Sequence, residues 1–196
     1  MSTDAGTATG PDGHPRCPWG VTTPDYREYH DSEWGVPVHG TTALFERLSL
    51  EAFQSGLSWL TILRKRDGFR RAFAGFDPAT VAGFTEEDVA RLLADAGIIR
   101  NRAKITATVR NARALAELGQ DFDVLLWSFA PDPAGRLAPR TLAEVPTRTR
   151  ESEAMARLLR GRGFTFVGPV TCHALMQATG MVDDHLAGCF RRATTG

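Results

Sequence analysis

An all-α fold is predicted by three observations. Apolar residues recur at three- and four-residue intervals along most of the chain, period-two alternation is nearly absent, and short Gly- and Pro-containing turns separate the helical stretches. The 196 residues suffice to bury one sizeable core, and 42% hydrophobic with 23% charged residues matches ordinary globular usage. Lys plus Arg number 23, as do Asp plus Glu, so no overall field draws the chain to nucleic acid or membrane and any basic footprint is local.

Residues 1–15 are small, polar and rich in Gly, Thr and Pro, a composition that cannot offset its ordering entropy by burial. A flexible tail is expected there, followed by one helical domain over 16–196. Between Arg16 and Pro37 the frequent Gly and Pro call for short turns. From Thr41, residues Leu44, Phe45, Leu48, Ala52, Phe53, Leu57, Leu60 and Leu63 keep helical spacing, which predicts one long helix capped by Thr41 or Thr42, with Gly56 as the place for a bend. Phe76-Asp77-Pro78 opens a short helix, and Thr85-Glu86-Glu87-Asp88 has capping-box form before Val89, Leu92 and Leu93. That helix ends near Gly97; the next carries Ile105, Val109, Ala112 and Leu115, and the pair forms a hairpin. After Phe122, Leu125, Leu126 and Trp127, residues 131–146 read mainly as loop. Ser152 then caps a helix running through Leu159, and the glycine-containing turn 160–169 leads into a helix bearing Val170, Ala174, Leu175 and Ala178. A second helical hairpin results.

No apolar run approaches the roughly 20 residues of a membrane span, and the first residues lack the charged start and apolar core of a secretory signal. Three cysteines, Cys17, Cys172 and Cys189, are too few for a disulfide scaffold, so a cytoplasmic placement is expected. His185 and Cys189 lie four apart, one helix face if that segment is helical, and Cys17 and His30 can complete a Cys2His2 set. Spacing alone is equally consistent with two buried cysteines and two satisfied histidines. Four such ligands without a carboxylate would suit one closed, structural zinc ion joining the two ends of the domain.

Three of the four tryptophans (Trp19, Trp34, Trp59) and both tyrosines (Tyr26, Tyr29) fall within 19–59, as an aromatic pocket or as core. On a continuous helix Glu51, Ser55, Ser58 and Trp59 would share one side, the carboxylate facing the indole. Glu51 is then either a solvated residue or a buried acid, and the latter often marks function. Arg100, Arg102 and Lys104 flank the first hairpin, and Arg160 and Arg162 the second. Backbone amides at such turns can hold phosphates, although a solvated basic end of a helix pair reads the same way.

The motifs Cys17-Pro-Trp-Gly, Tyr29-His-Asp-Ser-Glu-Trp-Gly-Val-Pro37, Leu50-Glu-Ala-Phe-Gln-Ser-Gly-Leu-Ser-Trp59, Asp95-Ala-Gly-Ile-Ile-Arg100 and Asp184-His-Leu-Ala-Gly-Cys189 together resemble the DNA-3-methyladenine glycosylase I family, over roughly residues 16–190. That resemblance implies a helix-hairpin-helix DNA glycosylase fold and a monofunctional DNA repair hydrolase that turns N3-methyladenine out of alkylated double-stranded DNA. It further implies Cys17, His30, His185 and Cys189 as ligands of one structural zinc ion, Glu51 and Tyr29 as hydrogen-bonding partners of the base, and Trp59 as the ring it stacks upon. Glu51 is the expected catalytic residue, Trp19 and Tyr26 are expected to line the same pocket, and the turn from Gly163 to Gly168 is the expected DNA-binding element. The expected partner is duplex DNA, bound by a monomer and with no membrane. The chain has two lysines, Lys65 and Lys104, neither near the second hairpin, so no Schiff-base step is expected. Val182-Asp183-Asp184 departs from the Asn-Asp associated with the family. Asp183 is open to two readings, assisting charge on the sugar or capping a helix. The competing functions are a zinc-stabilised damage-binding module without turnover and a glycosylase for another alkylated base.

Overall fold

The computed structural model describes residues 6–119 and 121–192. Of the expected tail, residues 1–5 lie outside the described residues, as do 193–196 of the expected domain. From residue 8 the structure departs from the expectation of a tail. Ala8–Thr9 (β1) pairs antiparallel with Pro15–Arg16 (β2), and Arg16 is 2% exposed. The remaining described residues are helical, with linking turns.

The helix α1 (Pro24–Ser32) starts at Thr23, whose hydroxyl accepts the Tyr26 amide, with Pro24 at the first helical position. The long helix expected from Thr41 is two. Gly40, at φ +92°, takes the cap position in place of Thr41 or Thr42, and α2 runs only over Thr41–Gln54. Gly56 is left-handed (φ +80°), Ser58 caps α3 (Trp59–Leu63) by accepting the Thr61 amide, and Lys104 Nζ donates to the carbonyls of Phe53 (2.8 Å) and Ser55 (2.5 Å). An ammonium therefore takes the carbonyls that a continuing helix would have paired.

α4 (Arg66–Ala72), α5 (Pro78–Ala82) and α6 (Glu86–Ala94) follow, the last opened by the expected Thr85/Asp88 capping box. Asn101 caps α7 (Arg102–Ala116), and α8 spans Phe122–Trp127. The cap of α9 (Arg150–Gly161) is Thr149, not Ser152; Ser152 occupies the third helical position and returns a hydrogen bond to the Thr149 amide. α10 (Pro169–Ala178) begins at Gly168.

The core is built around α2, whose Leu44, Phe45, Leu48 and Phe53 are fully buried, with Phe69, Phe73 and Phe76 on one side and Leu175 and Met176 of α10 on the other. Burying each such side chain contributes about 1.5–3 kcal/mol. Two hydrogen bonds, Gly35 N–H to Gln177 O and Val38 N–H to Thr179 O, bind the segment after α1 to the end of α10. Gly180, at φ +72°, makes that seam possible: a Cβ there would stand 2.7 Å from Pro37 N and 2.8 Å from Gly35 O. Gly180→Ala is accordingly expected to cost about 2–3 kcal/mol, seen as a fall in Tm of about 5–10 °C. An unchanged melting curve would show that the seam yields freely.

Candidate metal centre and aromatic pocket

Cys17, His30, His185 and Cys189 are all buried, and their ligating atoms lie within 4.8 Å of one another. His185 and Cys189 meet through a turn rather than a helix: residues 183–186 form neither helix nor strand, and the Cys189 amide donates to Leu186 O. The helix-face basis for pairing them is thus overturned while the pairing itself is present. Cys17 Sγ stands 3.8 Å from His185 Nδ1, and Cys189 Sγ is 3.6 Å from that nitrogen and 3.4 Å from His30 Nε2. A tetrahedral ion with Zn–S of about 2.3 Å and Zn–N of about 2.0–2.1 Å sets S···N edges near about 3.6 Å, so the spacing fits.

The second ring nitrogens settle which atoms face inward. His185 Nε2 contacts the Trp34 carbonyl (3.2 Å), which can only accept, so Nε2 carries the proton and Nδ1 presents its lone pair. His30 Nδ1 contacts Asp31 Oδ1 (2.8 Å), which leaves the His30 Nε2 lone pair free in the same way. The neighbouring Cys189 sulfur and burial push the Cys17 thiol well above its ordinary range; a divalent cation would remove that conflict. Cys172 lies apart in α10, its thiol buried against Val167 O (3.9 Å).

Beside this cluster opens a cavity of about 440 Å3. Its walls bring together Trp19, Tyr26, Tyr29, Trp34 and Trp59 from the turn before α1, α1, the loop after it, and α3. Tyr29 and Trp59 rings lie 5.3 Å apart, and Trp19 makes edge contacts with Tyr26 and Trp34. Tyr26 also accepts the Leu60 amide on its hydroxyl (3.0 Å), pinning α3 to α1. Glu51, in the last turn of α2, closes the floor. It is 6% exposed, and among the described residues no hydrogen-bond donor reaches its carboxyl group. Burial pushes that carboxyl up to about 8, with the Arg47 charge pulling the other way. Burial and the nearby Glu51 push the Tyr29 phenol above its ordinary range. Among the described residues Trp59 Nε1 is buried without a hydrogen-bond partner. Glu51 and Trp59 reach one cavity because the chain turns at Gly56, not because they share a helix face. Ser55 and Ser58 are absent from its walls.

Residues that sequence reasoning did not single out complete the opposite wall. His173 and Gln177, one turn apart on α10, both contact Asp184 Oδ2 (3.2 and 2.9 Å), and Arg136 donates to Asp184 Oδ1 (2.5 Å). Burial raises Asp184, but His173, Gln177 and the Arg136 charge prevail and hold it below the usual carboxylate range. The i, i+4 spacing of His173 and Gln177 was the available signal. Asp183 is not on the wall; its Oδ1 accepts the His185 amide (3.0 Å), and among the described residues no helix follows it to be capped. Gly163 (φ +89°) and Gly168 bracket the turn between α9 and α10, and neither lines the cavity. Buried Asn111 of α7 holds that turn through both the amide and the carbonyl of Thr165.

A family model for methyladenine glycosylases matches residues 19–192. A DNA-3-methyladenine glycosylase 1 of Escherichia coli (strain K12) is 48% identical over 177 residues, covering 89% of this chain and 95% of that protein. A crystal structure of a 3-methyladenine DNA glycosylase I is 46% identical with a TM-score of 0.85, over 91% of this chain and all of that one. The 3-methyladenine DNA glycosylase I of Staphylococcus aureus, studied for its recognition of 3-methyladenine, is 34% identical with a TM-score of 0.86, over 92% and 98%. Among the described residues no helix is long and apolar enough to cross a membrane. With one family spanning nearly the whole fold, and with His30, His185, Cys189 and the five aromatic residues of the cavity inside that span, the chain belongs to the methyladenine glycosylase family.

Proposed function

We propose that this chain is a DNA repair glycosylase that extrudes 3-methyladenine from alkylated duplex DNA into the aromatic cavity and hydrolyses its N-glycosidic bond, leaving an abasic site. One observation carries the reading: a buried carboxyl, Glu51, with no hydrogen-bond donor among the described residues, faces a cavity walled by Tyr29 and Trp59. Such a group is suited to a cationic ligand, which supplies both charge and donors. N3-methylation makes adenine cationic and a good leaving group, so little acid catalysis is required. Glu51 holds the charge and the exocyclic amine, Tyr29 adds a hydrogen bond, and Trp59 offers its π-face; neutral adenine gains less from each. Trp19 and Tyr26 shape the rest of the wall. Water attacks the sugar as positive charge develops on it.

The turn from Gly163 to Gly168 is the proposed DNA contact, the hairpin of a helix-hairpin-helix fold whose amides meet phosphates. Cys17, His30, His185 and Cys189 would hold one zinc ion, which supplies a structural crosslink and no reacting group. The proposed unit is a monomer, since the cavity is complete within one chain, acting in the cytoplasm where its duplex partner lies.

The test is single-turnover release of bases from N-methylated duplex DNA at low salt. The wild-type chain is expected to release 3-methyladenine ahead of other methylated bases, and Trp59→Ala to slow that release about 10–100-fold, from loss of a desolvated cation–π contact of about 2 kcal/mol. Preferential release of another base would redirect the substrate assignment. No release at all by folded protein would leave a damage-binding module.

A further inference from the structure

The hairpin formed by β1 and β2 lies outside the family match, which begins at residue 19, yet it closes over the metal cluster. Its turn is tight, with Gly10 N–H donating to His14 O and Gly13 N–H to Gly10 O. Its buried Arg16 bridges two carboxylates. Nη1 and Nη2 donate to Asp12 (2.7 and 2.6 Å), and Nε and Nη2 donate to Asp31 (2.8 and 2.7 Å). Asp31 in turn receives the His30 Nδ1 proton. The same strand reaches the other end of the cluster: the Phe190 amide, next to Cys189, donates to Pro15 O (2.9 Å), and the Arg16 guanidinium lies 4.9 Å over the Phe190 ring. One short segment thus holds a histidine ligand through a relay of three side chains and a cysteine ligand through its neighbour's backbone.

We propose that this hairpin is a latch on the metal centre, in which Asp12 and Arg16 position Asp31 on His30 and Pro15 positions the Cys189 segment, so that the hairpin sets how long the ion stays bound. The proposal rests on the reading of the four residues as an ion site. Asp12 and Arg16 are positioning residues; neither lines the aromatic cavity. Partners of ligating histidines typically change metal affinity about 10–100-fold, and a guanidinium held on both sides keeps Asp31 in one orientation.

The experiment mixes the zinc-loaded full chain with excess chromogenic chelator and follows zinc transfer. Asp12→Asn is expected to release zinc about tenfold faster, with the tetrahedral visible spectrum of its cobalt-loaded form retained and base release by the zinc-loaded variant unchanged. Gly10→Ala approaches the same relay without altering a charge, because its Cβ would stand 2.5 Å from Arg16 Nη1 and 2.9 Å from Asp12 Oδ1; it is expected to act in the same direction. Release within about twofold of wild type in both variants overturns the latch. Unchanged zinc retention with reduced base release overturns it in favour of a DNA contact. A wild-type chain that takes up neither zinc nor cobalt overturns the metal reading itself and the latch with it.

Discussion

Glu51→Gln is expected to slow 3-methyladenine release by about 10²–10³-fold while making the folded protein more stable. The first effect follows from charge. At a few ångströms and the effective dielectric of a partly buried site, opposite unit charges interact by about 4 kcal/mol, and glutamine keeps the shape but loses that term. The second follows from burial. The folded-state pKa of Glu51 is raised to about 8, so the group adds proton-linked stability that is fully present below the unfolded carboxylate value and is lost as pH rises through about 8. Above pH 8 the wild-type protein holds a buried carboxylate with no protein donor and glutamine relieves it, by a few kcal/mol; below pH 4 the two proteins should converge. Melting curves at several pH values and single-turnover release together check both halves. For the same reason wild-type kcat/KM should rise with pH through about 8, as the empty site gains the anion that holds the cationic base. A pH-independent melting difference, or a glutamine variant that keeps full activity, would remove Glu51 from recognition.

Stripping the metal centre is the second large effect. Cys17→Ser with Cys189→Ser, or exhaustive chelation of the zinc-loaded chain, is expected to cost several kcal/mol and lower Tm by about 10–20 °C. Base release should be lost with it. The linkage is short: His30 and Tyr29 are neighbours on α1, one turned to the cluster and the other to the cavity, and Trp34, whose carbonyl orients His185, lines that cavity too. Without the crosslink, the segment from Cys17 to Trp34 and the segment around His185 are left to weaker contacts, among them the His185–Trp34 hydrogen bond, the seam at Gly180 and the small cluster of Leu186 and its neighbours. Metal analysis showing none bound, with melting and activity unaffected by chelator, would sink this expectation.

The helical class, the Thr85/Asp88 cap and the short helix after Asp77 were legible because each depends on side chains within a few residues of one another, where periodicity and capping act. The four cluster residues and the aromatic ring set were legible as residue types. Their meeting was open on spacing alone and was implied only by the family resemblance, since 168 residues separate Cys17 from His185 and the segment carrying His185 and Cys189 is a turn held by Cys17 and Trp34 rather than a helix with its own face. The break after Gln54 was legible only as a place for a bend at Gly56, for a similar reason: apolar spacing continues through Leu57, Leu60 and Leu63, and it is Lys104, far along the chain, that takes the freed carbonyls. Arg16, directly after a segment whose composition promised only a tail, is buried because Asp12 and Asp31 meet its charge from two sides. Local physics determined which elements this chain forms and which chemistry it carries; tertiary packing decided that Glu51 is buried with no donor among the described residues, that Asp184 rather than Asp183 stands at the cavity, and that the first strands reach both His30 and the Cys189 segment, because desolvation and ligand geometry exist only once distant segments have met.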